Sequence, residues 1–463
     1  MKTIKTDIIP SRQSFAKIDD APSELNYEAI CVFAALGFFL DQDTYFKNEI
    51  CLRPASSHTL NDKGIVVKSE SYFQWHHTPK DINFEGVLDR FTSLFESILD
   101  QQVQDQRVIL PLSGGLDSRT QAAALHHLNK KVKAYSYSFE NGYNEAKISK
   151  KIADVCGFSF EGFQISRGYL WNHIEGLSKI NACYAEFTHA RQMAVINSLA
   201  YNGDLFSLGH WGDVLFDNIT DKQLSSSEEI NLILKKIVKP GGLHLANLLW
   251  KSWLLEGEFS DYLRTRIESL MSEIDIQNSN AKIRAFKSMY WAPRWTTANL
   301  SVFESVRPIS LPYYHKDMCE FICTVPEAFL ADRQLQIAYI KKRSEALANI
   351  VWQEHKPFNL KNYRYNRWPY NLPYRVLNKL KRTWDASRGK FYVQRNWELQ
   401  FTGTENSDKL EQYIYADTLK QLISQDIVDD IYSNFKKNDA VKFSHPLSIL
   451  LTLSLWQQNN ISF

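Results

Sequence analysis

Ser113-Gly114-Gly115-Leu116-Asp117-Ser118 constrains this chain more than any other segment. It follows an apolar run, Val108-Ile109-Leu110-Pro111-Leu112, and opens a helix-like stretch from Arg119 to Leu128. An apolar strand, a small-residue turn and a helix start together form a cradle for an anion. Glycine lets the backbone close on a ligand, and the free amides of the turn and first helical turn point at negative charge. A Walker loop would end in Gly-Lys-Ser/Thr, and this one does not.

The rest of the chain has to build a sheet around that strand. Val132–Phe139, Phe160–Ile165 and Asp204–Leu208 are strand candidates, separated by helical patterns over Glu145–Cys156 and Arg191–Tyr201. Gly157 just past the first of these suits a helix end. Such alternation predicts an α/β fold, a parallel sheet with flanking helices. Upstream, Ile65–Val67 and Tyr72–Trp75 read as strands joined by an Asn61–Gly64 turn, giving a small β-rich N-terminal domain. Phe84 to Gln104 has the apolar spacing of an amphipathic helix. Beyond about residue 220 the pattern is helical. The expected organisation is a β-rich unit over 1–100 and a nucleotide-binding unit over 101–463, split into a core (101–220) and a mostly helical lobe (221–463).

At 463 residues the chain is long enough for large cores, and 44% apolar with 23% charged residues is ordinary for a globular protein. A formal charge of +2 names no partner. The six cysteines are scattered and form no Cys-x-x-Cys, which fits a reducing compartment; no Cys/His spacing suggests zinc. Met1–Asp20 is polar and lacks the apolar core of a signal peptide. Ala29–Leu40 and Leu447–Trp456 fall short of the roughly 20 residues a bilayer-spanning helix needs. The expectation is a cytoplasmic protein without membrane insertion.

A second chemistry-bearing segment runs Leu208-Gly209-His210-Trp211-Gly212-Asp213-Val214-Leu215-Phe216, again strand, glycine turn, then an acid. Asp117 and Asp213 thus sit just beyond the carboxyl ends of separate strands, where ligands bind in open α/β sheets. Two aspartates at one crevice suit magnesium, which takes carboxylate, water and phosphate oxygens.

Ser-Gly-Gly-Leu-Asp-Ser, followed by Gly-x-x-Gly-Asp-x-x-Phe, resembles the synthetase domain of the asparagine synthetase family, within the ATP pyrophosphatases. Asn144-Glu145-Ala146 with Ile152-Ala153 resembles that family's Asp-Glu-x-x-x-Ala helix, with Asn144 in place of the usual acid. The resemblance implies an adenine nucleotide α-hydrolase-like fold. It also implies a two-step, AMP-forming ligation, in which a carboxylate attacks the α-phosphate of ATP and an amine then expels AMP. Leu112, Ser113, Gly114, Gly115, Asp117 and Ser118 would hold ATP and its pyrophosphate. Asp117 and Asp213 would bind Mg2+, and Phe139, Leu208 and Gly209 would border the adenosine. Lys356, in Glu354-His355-Lys356-Pro357-Phe358, matches a lysine that stabilises the leaving pyrophosphate; the alternative is a solvated surface lysine.

Three departures from the family pattern bear on the kind of ligase. The glutamine-using members start their glutaminase domain with a catalytic cysteine, whereas this sequence runs Met1-Lys2-Thr3 and has its first cysteine at Cys31. The segment Leu52–Ser57 resembles late strands of that domain, so the first hundred residues read as a shortened remnant. Nitrogen would then come from ammonia made by a separate amidase, or from an amine on a second substrate. His210 replaces a glutamate, either as a base toward the incoming amine or as a residue that orders the loop. Pro312-Tyr313-Tyr314-His315 replaces Pro-Phe-Leu-Asp and loses its acid, so aspartate is not assumed as substrate. Glu186 and Arg191 are candidate substrate contacts by location, or ordinary helix-surface charges.

From Lys356 to Arg395 the sequence holds eleven Lys/Arg, one acid and interleaved aromatic residues. That composition suits nucleotides, nucleotide sugars or single strands, or a solvated positive face. Truncated members of this kind resemble proteins encoded for surface-polysaccharide assembly, which implies a nucleotide-linked or lipid-linked sugar acid as carboxylate. Competing readings are a peptide or lactam cyclase of the same superfamily, an RNA-modifying ATP pyrophosphatase, and a non-catalytic scaffold. The Gly209–Phe216 segment speaks against RNA modification, and the intact loop with both aspartates speaks against a scaffold.

Overall fold

The computed structural model describes residues 1–140, 146–220, 222–388 and 397–461. Asn144 and Glu145 lie outside them. The N-terminal region contributes five short strands, β1 (Lys2–Lys5), β2 (Phe15–Lys17), β3 (Glu49–Cys51), β4 (Ser56–Leu60) and β5 (Val66–Ser71). These pair antiparallel as β1-β4-β5 and β2-β3. The expected strand over Tyr72–Trp75 is not one. The ladder ends at Ser71, whose hydroxyl donates to the carbonyl of Phe73 at 2.7 Å, and Tyr72 turns its own hydroxyl to the carbonyl of Thr6. The strand that does form, β5, is almost wholly exposed, so alternation of apolar and polar residues does not mark it.

Between β2 and β3 lies helix α1 (Tyr27–Leu36), capped by the Asn26 side chain at its start and by left-handed Gly37 at its end. Every residue from Ala29 to Leu36 is buried. A helix that is apolar all round needs cover on all sides, and distant segments supply it. Gly242 lies so close to the carbonyls of Ala34 and Ala35 that a Cβ there would come within 2.6 Å of the latter. His445, in the last helix, bonds the Ala34 carbonyl at 3.0 Å. One continuous apolar core runs from Ile8 to Trp456.

Helix α2 (Phe84–Val103) leads into the main sheet and buries Val87, Leu88, Phe91, Phe95, Ile98 and Leu99 on one face, as their spacing predicts. The strands are β6 (Val108–Pro111), β7 (Val132–Phe139), β8 (Ser159–Ile165), β9 (Leu205–Ser207) and β10 (Ile309–Ser310). They form a five-stranded sheet in the order β10-β9-β6-β7-β8, with every pairing parallel. Val108, Ile109 and Leu110 are fully buried, as expected for a strand covered on both faces. Helix α3 (Leu116–His127) follows β6, and α4 (Ala146–Cys156) follows β7.

The chain proceeds from β6 outward through β7 and β8, then returns to place β9 on the other side of β6. The crevice between the carboxyl ends of β6 and β9 is therefore the topological switch point of the sheet. Past residue 220 the described chain is helical apart from β10. One turn, Lys287–Trp291, is a π-helix. Among the described residues no helix is long and apolar enough to cross a membrane.

Candidate functional site

At the end of β6 the loop is tied into shape by its own serines. The Ser113 amide donates to the Ser118 hydroxyl at 3.0 Å, the two hydroxyls lie 3.1 Å apart, and the Gly115 amide donates to the Ser113 hydroxyl at 3.2 Å. Gly115 is the N-cap of α3 and provides no side-chain cap, so the first amides of the helix remain open to a ligand. Leu112 is buried and its amide donates to the carbonyl of Tyr135 at 2.8 Å, which fixes where the loop leaves the sheet.

The loop after β9 closes against the first one. Gly209 lies against Asp117, where a Cβ would meet the Asp117 Cβ at 3.2 Å. A Cβ on Gly212 would overlap the Asp117 carboxylate itself. The two acid-bearing turns thus interlock, and only glycine allows this approach. Asp213 follows on the exposed side of the turn, near enough for its charge to act on Asp117. Leu208 is buried, its amide donating to the Ser310 carbonyl at 2.9 Å. Trp211, in a left-handed conformation, packs edge-on to Trp291 and bonds Thr296.

Asp117 has partners that its sequence neighbourhood does not announce. Arg333 pairs with its Oδ1, Gln336 donates to the same oxygen at 3.0 Å, and the Tyr313 hydroxyl donates to its backbone carbonyl at 2.9 Å. The Pro312–Tyr314 segment therefore reaches Asp117 directly. Burial and the like charge of Asp213 outweigh the help of Arg333 and Gln336, and the Asp117 carboxyl is pushed up to about 6. A site that holds two carboxylates and stabilises the charge of Asp117 incompletely fits a further cation. Among the described residues no group of three or more His, Cys, Asp or Glu is placed to hold a metal. A magnesium ion at Asp117 and Asp213 would accordingly be completed by phosphate oxygens and water.

Three other cations stand nearby. Arg119 is fully buried and donates to the carbonyls of Gly114 (3.2 Å), Ile350 (3.0 Å) and Val351 (2.9 Å), binding the loop to the 347–351 segment. Burial pushes its guanidinium down to about 10. The segment just beyond lies on the loop, with the Gln353 amide donating to the Gly114 carbonyl at 3.3 Å. This brings half-buried Lys356 into the neighbourhood of Ser113–Ser118. Lys287, in the π-turn, is pushed down to about 8 by burial and by the charges of Lys236 and Arg284, against the pull of Asp213 and Asp217.

His210 is pushed down to about 4 by burial, opposed by Asp213, so it is neutral at neutral pH. Its Nδ1 is buried without a hydrogen-bond partner, and its ring meets Phe303 edge-on. Phe139, at the end of β7, is buried beneath the Arg191 guanidinium, 6.0 Å from the ring centre. Arg191 precedes the helix Met193–Leu199, which is shorter than the expected Arg191–Tyr201. Glu186 is elsewhere in character. It is buried, caps the short helix Phe187–His189, and accepts from the Thr188 amide (2.7 Å) and the Ser448 hydroxyl (2.6 Å). The structure thus gathers the Ser113–Ser118 loop, Leu208, Gly209, His210 and Asp213 at one crevice, with Phe139 and Arg191 on the neighbouring strand end and Glu186 inside the core.

Arg119, Arg333, Gln336 and Lys287 were not foreseeable as site residues. Arg119 lies among polar neighbours, Asp117, Ser118, Thr120 and Gln121, so nothing local marks it as buried. Arg333 and Gln336 arrive from more than 200 positions away.

Residues 91–201 match the asparagine synthase family. The match runs from within α2 to just short of β9, so it holds the loop and Asp117 and stops before Asp213. Over this stretch the chain is asparagine synthetase-like in sequence. No curated protein matches the chain. Among solved structures, an NMN synthetase from Francisella tularensis aligns over 44% of this chain and 93% of its own, at 14% identity and a TM-score of 0.23. So low a score carries no argument.

Proposed function

We propose that this protein is an ATP-dependent amide-forming ligase that adenylates a carboxylate, releases pyrophosphate, and transfers the acyl group to ammonia or an amine. The observation that carries this reading is the interlocking of the Ser113–Ser118 loop with the Gly209–Asp213 turn at the switch point of the sheet. Open amides and serine hydroxyls face the place where pyrophosphate would lie, and two carboxylates stand beside it. Magnesium bound there would offset phosphate charge. Arg333 pairs with Asp117 and would keep it in position, and Lys356 and Lys287 would supply positive charge as negative charge builds on the leaving pyrophosphate. Phe139, Leu208 and Gly209 would border the adenosine, with Arg191 over Phe139.

His210 is neutral, which is the state a proton acceptor must be in, and a movement of the loop that uncovers its buried, unpartnered Nδ1 would let it take a hydrogen bond from an incoming amine. All six cysteines are buried, and burial raises each thiol above its ordinary value. None is a thiolate nucleophile, which supports a nitrogen source other than glutamine hydrolysed by this chain. We read the first hundred residues as a shortened glutaminase-like unit that has become part of the synthetase core. The carboxylate donor is, in this reading, a small molecule or a nucleotide-linked or lipid-linked sugar acid.

Trapping with hydroxylamine tests the proposal. The protein is mixed with Mg-ATP, hydroxylamine and a panel of amino acids, free and nucleotide-linked uronic acids, and short peptides. Acyl-hydroxamate formed with equimolar AMP and pyrophosphate, and missing in Asp117→Ala, is the expected result. Release of ADP and phosphate, or glutamate formed from glutamine by the pure protein, would overturn it.

A further inference from the structure

The helix Leu372–Ser387 takes no part in the core. Its described side chains are exposed or half-buried, and Leu377, Leu380 and Trp384 show 65%, 62% and 59% of their surface to solvent. Just before it, Trp368 is 75% exposed. Soluble surfaces rarely gather large apolar side chains in this way without a use for them. At 100° per residue, Leu372, Val376, Leu377, Leu380 and Trp384 fall within one arc of about 140°. Arg375, Lys379, Lys381 and Arg382 occupy the opposite face, with Lys379 and Lys381 at its two borders. Asp385 is the helix's single acid.

We propose that this helix seats the protein on an anionic lipid surface, lying in the plane of the headgroups. Its pattern is that of an interfacial helix, with an apolar face to enter the acyl boundary and cations along the edges to reach lipid phosphates. Sixteen residues make a rod of roughly 24 Å, and among the described residues no helix can cross the bilayer. The occupant is a bilayer rather than a second copy, because pairing two such faces brings the bordering lysines of one helix against those of the other. The negative potential of an anionic leaflet instead attracts every one of these cations. Arg388, stacked 4.5 Å over the Trp384 ring, adds a further charge at the end of the apolar face.

The helix connects to the candidate site through a short, bonded stretch. The Asn366 amide lies 3.4 Å from His355 Nδ1, and the Asn371 amide donates to Asn366 at 3.3 Å. Gln353, two residues before His355, touches the phosphate loop. Seating the helix would therefore hold the rim of the site near the lipid surface, within reach of an acid carried on a lipid phosphate.

The test is flotation of the full chain with vesicles of phosphatidylcholine alone or mixed equally with phosphatidylglycerol. Partition onto the anionic vesicles is expected to exceed that onto the neutral ones by more than about tenfold and to weaken as salt is raised. Leu377→Glu with Leu380→Glu should cut it at least tenfold while leaving the circular dichroism and melting temperature unchanged, since both side chains are solvent-exposed. Lys379→Glu with Lys381→Glu should remove the preference for anionic lipid. Equal flotation of wild type and the Leu377/Leu380 variant, or none by either, would overturn the proposal. So would a vesicle-independent dimer, or single-stranded RNA binding without flotation, abolished by the same substitutions.

Discussion

Arg119→Met keeps most of a buried side chain's volume and removes the guanidinium that joins the phosphate loop to residues 347–351. Two consequences oppose each other. The charged form is disfavoured where it stands, since burial pushes the group from its usual 12.5 to about 10, a penalty of roughly 3 kcal/mol. Against that, the guanidinium satisfies the carbonyls of Gly114, Leu347, Ile350 and Val351 at 2.9–3.4 Å. Charge-assisted bonds contribute about 1.5–3 kcal/mol each, and a buried carbonyl left alone costs about 1–3 kcal/mol. The three bonds of 3.2 Å or less together contribute about 4.5–9 kcal/mol, more than the burial penalty, so the variant should be less stable by roughly 1.5–6 kcal/mol in urea unfolding. The loop should also lose its set shape, because Gly114 would be held only through Gln353. Mg-ATP affinity, measured by calorimetry, should fall about tenfold, equivalent to about 1.4 kcal/mol. Unchanged stability would show that the carbonyls find other partners. Lower stability with unaltered ATP affinity would show that Arg119 supports the fold and does not shape the site.

Gly212→Ala places a methyl group on the Asp117 carboxylate; pyrophosphate release should fall about 100-fold, roughly 2.7 kcal/mol in the barrier, with the circular dichroism unchanged. His210→Ala should leave ATP–pyrophosphate exchange intact while slowing amide formation, and loss of exchange would refute the assignment as proton acceptor. His210 also predicts an acid response. Its folded-state value of about 4 lies below the ordinary 6.5, so the unfolded chain binds the proton first, and stability should decline as pH falls from 6.5 toward 4. His210→Gln should flatten that decline in urea titrations across the same range.

The parallel sheet and both aspartate turns were legible because their signals are local. Val108–Leu110 is an apolar run, the Ser113–Ser118 loop is a fixed string, and β7 shows the same span in sequence and structure. Of the edge strand β5 only the start, within Ile65–Val67, is legible, because the polar Lys68–Ser71 stretch lacks a buried face and has no alternation to read. Glu186 had the position of a substrate contact and the environment of a buried cap, which depends on Ser448 and so on chain far downstream. Arg333 is of the same kind, since its left-handed backbone and its ion pair with Asp117 are products of tertiary packing.

Helix α1 also has a consequence for how the protein is made. Its apolar surface is sealed partly by the last helix, and 411 residues separate Ala34 from His445. At roughly 5–20 residues per second, translation leaves that surface without its final cover for about 20–80 s. A nascent chain carrying an uncovered apolar helix for so long is exposed to aggregation and is a natural client for chaperones that shield such surfaces. Conditions that slow elongation should lower the yield of native protein more than those that slow initiation.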